Sequence, residues 1–136
     1  YAVHNTGARH LRIPLEEYDR VQFVEFANCT FTEDASFKEL LEISAEHEAL
    51  IKEFGYGGYG VHYLRPYRGF DDDYSYDFVR MVHWYNRDKR AENIEKYQAM
   101  RKFMADRGMP DKYAQHIKSC GNVRVFGMEF LYNSNQ

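Results

Sequence analysis

The sequence predicts an α+β domain with the element order β-α-β-β-α-β. Three observations carry it: four runs rich in β-formers, two long stretches with apolar residues at helical spacing, and an internal repeat that puts a strand ahead of each helix. The 136 residues fit one domain. A chain of this size buries roughly two-thirds of its unfolded surface, so folding requires no metal and no dense disulfide framework. Charged residues at 29%, aromatics at 17%, nine Gly and three Pro make a globular profile rather than a disordered or fibrous one.

Residues 1–17 show neither helical nor strand periodicity, and Pro14 interrupts them. They read as an extended N-terminal arm that packs on a partner or frays, with residues 18–136 forming the single domain. Tyr1 in place of Met fits a processed, tagged or trimmed product. Asp19 to Asn28, with Val21, Phe23, Val24 and Phe26, is the first strand. Ser36-Phe37-Lys38-Glu39 is an S-x-x-E capping box that opens the first helix. Phe37, Leu40, Leu41, Ser44, His47, Ile51 and Phe54 form its buried stripe, and Gly55 stands where a C′ glycine belongs. Gly60 to Tyr67 is the second strand, Arg68 to Ser75 a polar turn, and Tyr76 to Asn86 the third strand. Ala91 to Arg107 is the second helix, with Ile94, Tyr97, Met100, Arg101 and Met104 inward and Gly108 and Pro110 ending it. A short helical turn within Asp111 to Ser119 leads to the last strand, Asn122 to Tyr132.

The repeat supports this order. Val21 to Asn28 (VQFVEFAN) lies beside Val79 to Asn86 (VRMVHWYN) without a gap, and each copy is followed by a helix and then a strand led by Val61 or Val123. A pair of β-α-β units is what a ferredoxin-like sandwich requires. On this order and repeat, residues 19 to 132 resemble the ferredoxin-like dimeric α+β barrel superfamily. The resemblance implies a four-stranded antiparallel sheet in strand order 4-1-3-2, two helices on one face, and a homodimer that closes a barrel with the other faces. It also implies a range of activities that includes cofactor-free monooxygenases, isomerases, cyclases and haem-degrading enzymes. More narrowly, the succession of strand, Cys29, helix, Gly-rich turn and late Cys120-Gly121 resembles small exported bacterial proteins without assigned function.

Strand alternation sorts the side chains into two sets. Val24, Phe26, Leu64, Val82, Trp84, Phe126, Met128 and Phe130 are almost wholly apolar and are expected under the helices. Phe23, Glu25, Ala27, Tyr63, Arg65, Met81, His83, Tyr85, Gly127 and Glu129 are expected on the open face. With the first and third strands taken as parallel neighbours, repeat-matched Glu25 and His83 lie side by side, flanked by Tyr63 and Arg65 from the second strand and Glu129 from the fourth. A carboxylate beside an imidazole orients the ring and raises its pKa, which makes His83 a candidate general base. Tyr63 or Tyr85 would donate to a developing oxyanion, and Arg65 would hold a carboxylate or enolate. The same residues also fit a ligand-binding site, or a buried network at a dimer interface. The Asn, Trp and His on which cofactor-free oxygenases of this superfamily often draw do not carry over, because Trp84 and His83 are adjacent in a strand and point to opposite faces.

In the expected topology Cys29 and Cys120 end antiparallel neighbours, so they are expected to form a disulfide; two reduced thiols at strand ends are the alternative. A disulfide places the protein in an exported, oxidising setting (periplasmic or secreted), and reduced thiols in the cytoplasm. The six His are too scattered for a zinc site, and no H-E-x-x-H is present. His62 alternates toward the helix face. Asp71, Asp72 and Asp73 lack EF-hand spacing and read as a solvated turn. Gly55 to Gly60 has neither G-K-[ST] nor a helix-opening G-x-G-x-x-G, and reads as a turn with Tyr56 and Tyr59 at a pocket rim. No metal or cofactor is expected. A net charge of −3, a pI of about 6.1 and the lack of an RNP1 pattern in the third strand argue against nucleic acid. No apolar run is long enough to insert in a membrane.

The function expected from these residues is a cofactor-independent enzyme or binder of a small aromatic or apolar carbonyl compound. It would act in a cavity on the open sheet face, with His83 as base and Glu25 orienting it. The alternative is a non-enzymatic exported subunit whose open face and arm bind another protein chain.

Overall fold

β2 (Gln22–Phe31) lies between β4 (Phe78–Trp84) and β5 (Ile117–Met128) in an antiparallel sheet ordered β1-β3-β4-β2-β5. The computed structural model describes residues 3–11, 14–55 and 57–129. The remaining elements are β1 (Val3–Leu11), a 3-10 turn (Leu15–Glu17), α1 (Phe37–Glu53), β3 (Tyr59–Pro66), α2 (Arg87–Asp106) and the short α3 (Lys112–His116). The four strands β3-β4-β2-β5 and the two long helices realise the expected β-α-β-β-α-β order, all strand pairs antiparallel.

The sheet has one strand more than expected. Val3–Leu11 pairs antiparallel with β3, Leu11 opposite Tyr59 and Val3 opposite Pro66, with one irregularity between Asn5 and Gly7. Within the segment read as an arm, Val3–Leu11 is a strand on the edge of the chain's own sheet and Leu15–Glu17 is a 3-10 turn. Backbone pairing asks nothing of side-chain alternation, so a strand without periodicity in its residues is still able to complete an edge.

Local sequence explains the element ends. Ser36 Oγ caps α1 by accepting from the Glu39 N–H at 3.4 Å. Asn86 Oδ1 accepts from the Asp88 and Lys89 N–H groups at 2.9 and 3.2 Å, which starts α2 earlier than its apolar stripe indicates. Gly55 and Gly108 follow the two helices at φ +72° and +64°, where a Cβ would be strained. β5 begins well before Asn122. The Gly121-Asn122 pair that resembles a strand start is a bulge, with Asn122 at φ +52° and a register shift opposite Phe26–Asn28.

Register decides which residues meet the helices. Across β2 and β4 the partners are Phe23–Trp84, Glu25–Val82 and Ala27–Arg80, so odd positions of β2 share a face with even positions of β4. Tyr59–Trp84 and Val61–Val82 extend that face to β3. This is the helix side. Buried Ala27, Cys29, Tyr63 and Phe78 pack with Leu40 of α1, and the Phe78 ring lies 5.0, 5.6 and 5.6 Å from those of Phe31, Phe37 and Tyr63. Full burial of Phe78 contributes on the order of 2–3 kcal/mol.

The expected face assignment therefore needs correction in every strand but β4. Val82 and Trp84 lie under the helices, and Met81 and His83 on the open face, as expected. Val24, Phe26, Leu64, Phe126 and Met128 lie on the open face instead, where Phe26 and Phe126 meet edge-on at 5.7 Å. His62, opposite Met81, is on the open face as well. Phe23, Glu25, Ala27, Tyr63 and Gly127 lie on the helix side, and Arg65 stands 4.3 Å over the Phe37 ring. Phe130 and Tyr56 fall outside the described residues. The physical reason is strand direction: the two repeat copies run antiparallel, and the register pairs odd with even positions.

Candidate functional site

α1 and α2 do not close completely on the sheet. Between them and the sheet lies a cavity of about 730 Å³. Its floor is Tyr59, Val61 and Tyr63 of β3 with Arg80, Val82 and Trp84 of β4. Its walls are Leu41, Ser44, His47, Glu48 and Ile51 of α1, and Asn93, Ile94, Tyr97, Met100, Arg101 and Met104 of α2. Leu41, Ile94 and Tyr97 are also exposed, which places them at the mouth. The α2 residues expected to face inward all line this space.

Polar contacts fix the frame. At one end α3 ties the helices together: Tyr113 Oη and Ser44 Oγ lie 3.0 Å apart, the His47 ring meets Tyr113 edge-on at 5.2 Å, and Arg101 is paired with Asp111. The Asp111 carboxylate holds the Arg101 guanidinium above its ordinary range. At the other end buried Asn93 donates to the Gly57 carbonyl at 2.6 Å and accepts from its N–H at 3.2 Å. Lys96 Nζ adds a bond to the Gly55 carbonyl at 2.7 Å. These contacts anchor α2 to the α1–β3 turn.

Of the sequence-derived site residues, His83 and Tyr85 are in ring contact, but Glu25 and His83 are not brought together. Glu25 lies on the helix side, where Oε2 accepts from Trp84 Nε1 at 3.2 Å and Oε1 from Arg90 Nη2 at 3.3 Å. His83 lies on the open face, with Nε2 2.6 Å from Oε1 of buried Gln22 and its ring 4.4 Å from Tyr85. Tyr85 also stacks on Tyr18 at 5.0 Å, while its backbone N–H donates to the Gly58 carbonyl and its carbonyl accepts from the Asp19 N–H. Glu129 lies 3.6 Å from Arg20 at the surface. Tyr63 alone of the set lines the cavity, as part of its floor.

Cys29 and Cys120 are directly opposite in the β2–β5 ladder, with Cα atoms 4.1 Å apart, and form a disulfide. Such a bond belongs to an oxidising compartment. Among the described residues no group of three or more His, Cys, Asp or Glu is placed to hold a metal ion, and no helix is long and apolar enough to cross a membrane.

Sequence reasoning missed Arg80. It alternates with Phe78, Val82 and Trp84 on the helix side of β4 and is the only one of these four able to carry a charge. The signal was present, because Val82 and Trp84 were already assigned beneath the helices and Arg80 shares their parity. Taken together, the arrangement can enclose an apolar body several rings in size and present a guanidinium, an imidazole and phenols along its wall. No protein-family model, curated protein or solved structure matches the chain.

Proposed function

We propose that this protein binds a small aromatic or apolar compound in the cavity between its sheet and its helices. The observation that carries the reading is the cavity itself. Its volume falls within the roughly 300–1,000 Å³ range of small-molecule sites, and Val61, Val82, Trp84, Ile51, Met100 and Met104 give it an apolar lining. Space of that size beneath a sheet is not needed for folding, since native interiors close-pack. Joint acid–base chemistry by His83 and Glu25 is not part of the proposal, because the two side chains face opposite ways.

Two further elements belong to the same proposal. The open face closes a homodimer, supported by Phe126, which stands 53% exposed beside Phe26. The protein works as an exported molecule, supported by the Cys29–Cys120 bond. Sedimentation of the wild-type chain and of Phe126→Glu tests the dimer; a wild-type monomer would remove it.

The cavity is tested with the neutral fluorophore N-phenyl-1-naphthylamine. Saturable binding at one site per chain is expected. The Val61→Phe/Val82→Phe double variant, which fills the floor, is expected to weaken it by at least about 10-fold, equivalent to ~1.4 kcal/mol, with the fold retained. Binding that does not saturate, or that ignores the filled floor, overturns the proposal.

A further inference from the structure

The charges on the cavity wall do not cancel. Glu48 is paired with Lys52 at 3.2 Å, and Arg101 with Asp111. Glu25, the acidic neighbour of Arg80 across the floor, already accepts from Trp84 and Arg90. Arg80 is half-buried, its Nε is fully shielded and has no hydrogen-bond partner, and no ion pair among the described residues includes it. Its cross-strand neighbours are Ala27 and Tyr63, both buried, and Arg80 itself lines the cavity beside Val82. A guanidinium cannot shed its proton near neutral pH, and an unpaired buried N–H is costly. A guanidinium also carries further N–H donors in a planar fork, which matches the two oxygens of a carboxylate.

We infer that the cavity selects compounds with an apolar body and one carboxylate, which Arg80 holds at the floor while the body lies against the apolar lining. The inference rests on the cavity reading above and names the ligand class for it: medium-chain fatty acids and aryl-alkanoic acids rather than alcohols, amines or hydrocarbons. Arg80 acts as a binding residue, through a charge-assisted pair formed beside the apolar lining.

The test measures displacement of N-phenyl-1-naphthylamine at pH 7 by decanoate and by decan-1-ol, which share a chain and differ in the head group. In the wild-type protein decanoate is expected to bind at least about 10-fold more tightly than the alcohol. Arg80→Met is expected to remove that preference and leave the affinity for decan-1-ol within roughly 2-fold. Arg80→Gln keeps a hydrogen-bonding side chain without the charge and is expected to behave like Arg80→Met, which covers the case in which the latter does not fold. Equal affinity for the two compounds in the wild-type protein overturns the inference and leaves the cavity reading standing. Survival of the preference in either variant does the same. If the fluorophore and both compounds fail to bind, the cavity reading falls and the inference with it.

Discussion

Glu25 and His83 stand on opposite faces of one strand pair, Glu25 opposite Val82 and His83 opposite Val24. Each is already engaged, the carboxylate by Trp84 and Arg90 and the imidazole by Gln22. With no shared partner among these contacts, their contributions are separable. In denaturant unfolding, Glu25→Ala is expected to cost about 1 kcal/mol, because half-buried Trp84 Nε1 loses its acceptor while exposed Arg90 turns to water, and His83→Ala about 1 kcal/mol. The double variant is expected to equal the sum of the two to within about 0.5 kcal/mol. A larger coupling would mean that the residues do communicate through the sheet.

The disulfide gives a second expectation. Thiol titration of the unfolded chain is expected to find no free thiol before reduction and two after it. Reduction is expected to lower the unfolding free energy by about 2–4 kcal/mol, the usual worth of a bond that closes a long loop. An unchanged denaturation midpoint after complete reduction would remove the bond from the stability of the fold.

Phe78 is fully buried among three other aromatic rings and Leu40. Phe78→Ala is expected to destabilise by about 3–5 kcal/mol. Phe126→Ala, on the exposed side, is expected to cost less than about 1 kcal/mol in the monomer. Under the sequence-based face assignment Phe126 belonged to the core, so the pair of midpoints tests the observed register directly.

Asn93 holds α2 against the α1–β3 turn through both of its amide atoms. Asn93→Ala leaves the Gly57 N–H and carbonyl without these partners and is expected to cost about 1–3 kcal/mol. Faster hydrogen exchange in α2 than in β4 is expected in that variant, since the helix loses its anchor while the central ladder is intact.

The sequence announced the elements better than the faces. Ser36, Gly55 and Gly108 act through local geometry, and each marks a helix end where it was read. The Met100 and Met104 stripe is equally local, and both residues are buried. Faces depend instead on a pairing between residues far apart in the chain. Both parities of β2 carry apolar side chains, Val24 and Phe26 on one and Phe23 and Ala27 on the other, so alternation did not decide which side faced inward. Aligning Glu25 with His83 assumed parallel neighbours; antiparallel pairing reversed the parity and dissolved the expected site. The cavity was illegible because it is a gap between helices and sheet, and no residue encodes a gap. Arg80 was legible in principle, as a charge in step with Phe78, Val82 and Trp84.

The bond between Cys29 and Cys120 spans 91 positions of sequence and encloses α1, β3, β4, α2 and α3 in one covalent ring. The β3–β4 connection inside that ring is exposed, Tyr67 at 66% among its residues, and offers a protease its entry. A single cut there would open the chain without dividing it. Under oxidising conditions the nicked molecule would migrate in a denaturing gel as one species, and only a reductant would release two fragments.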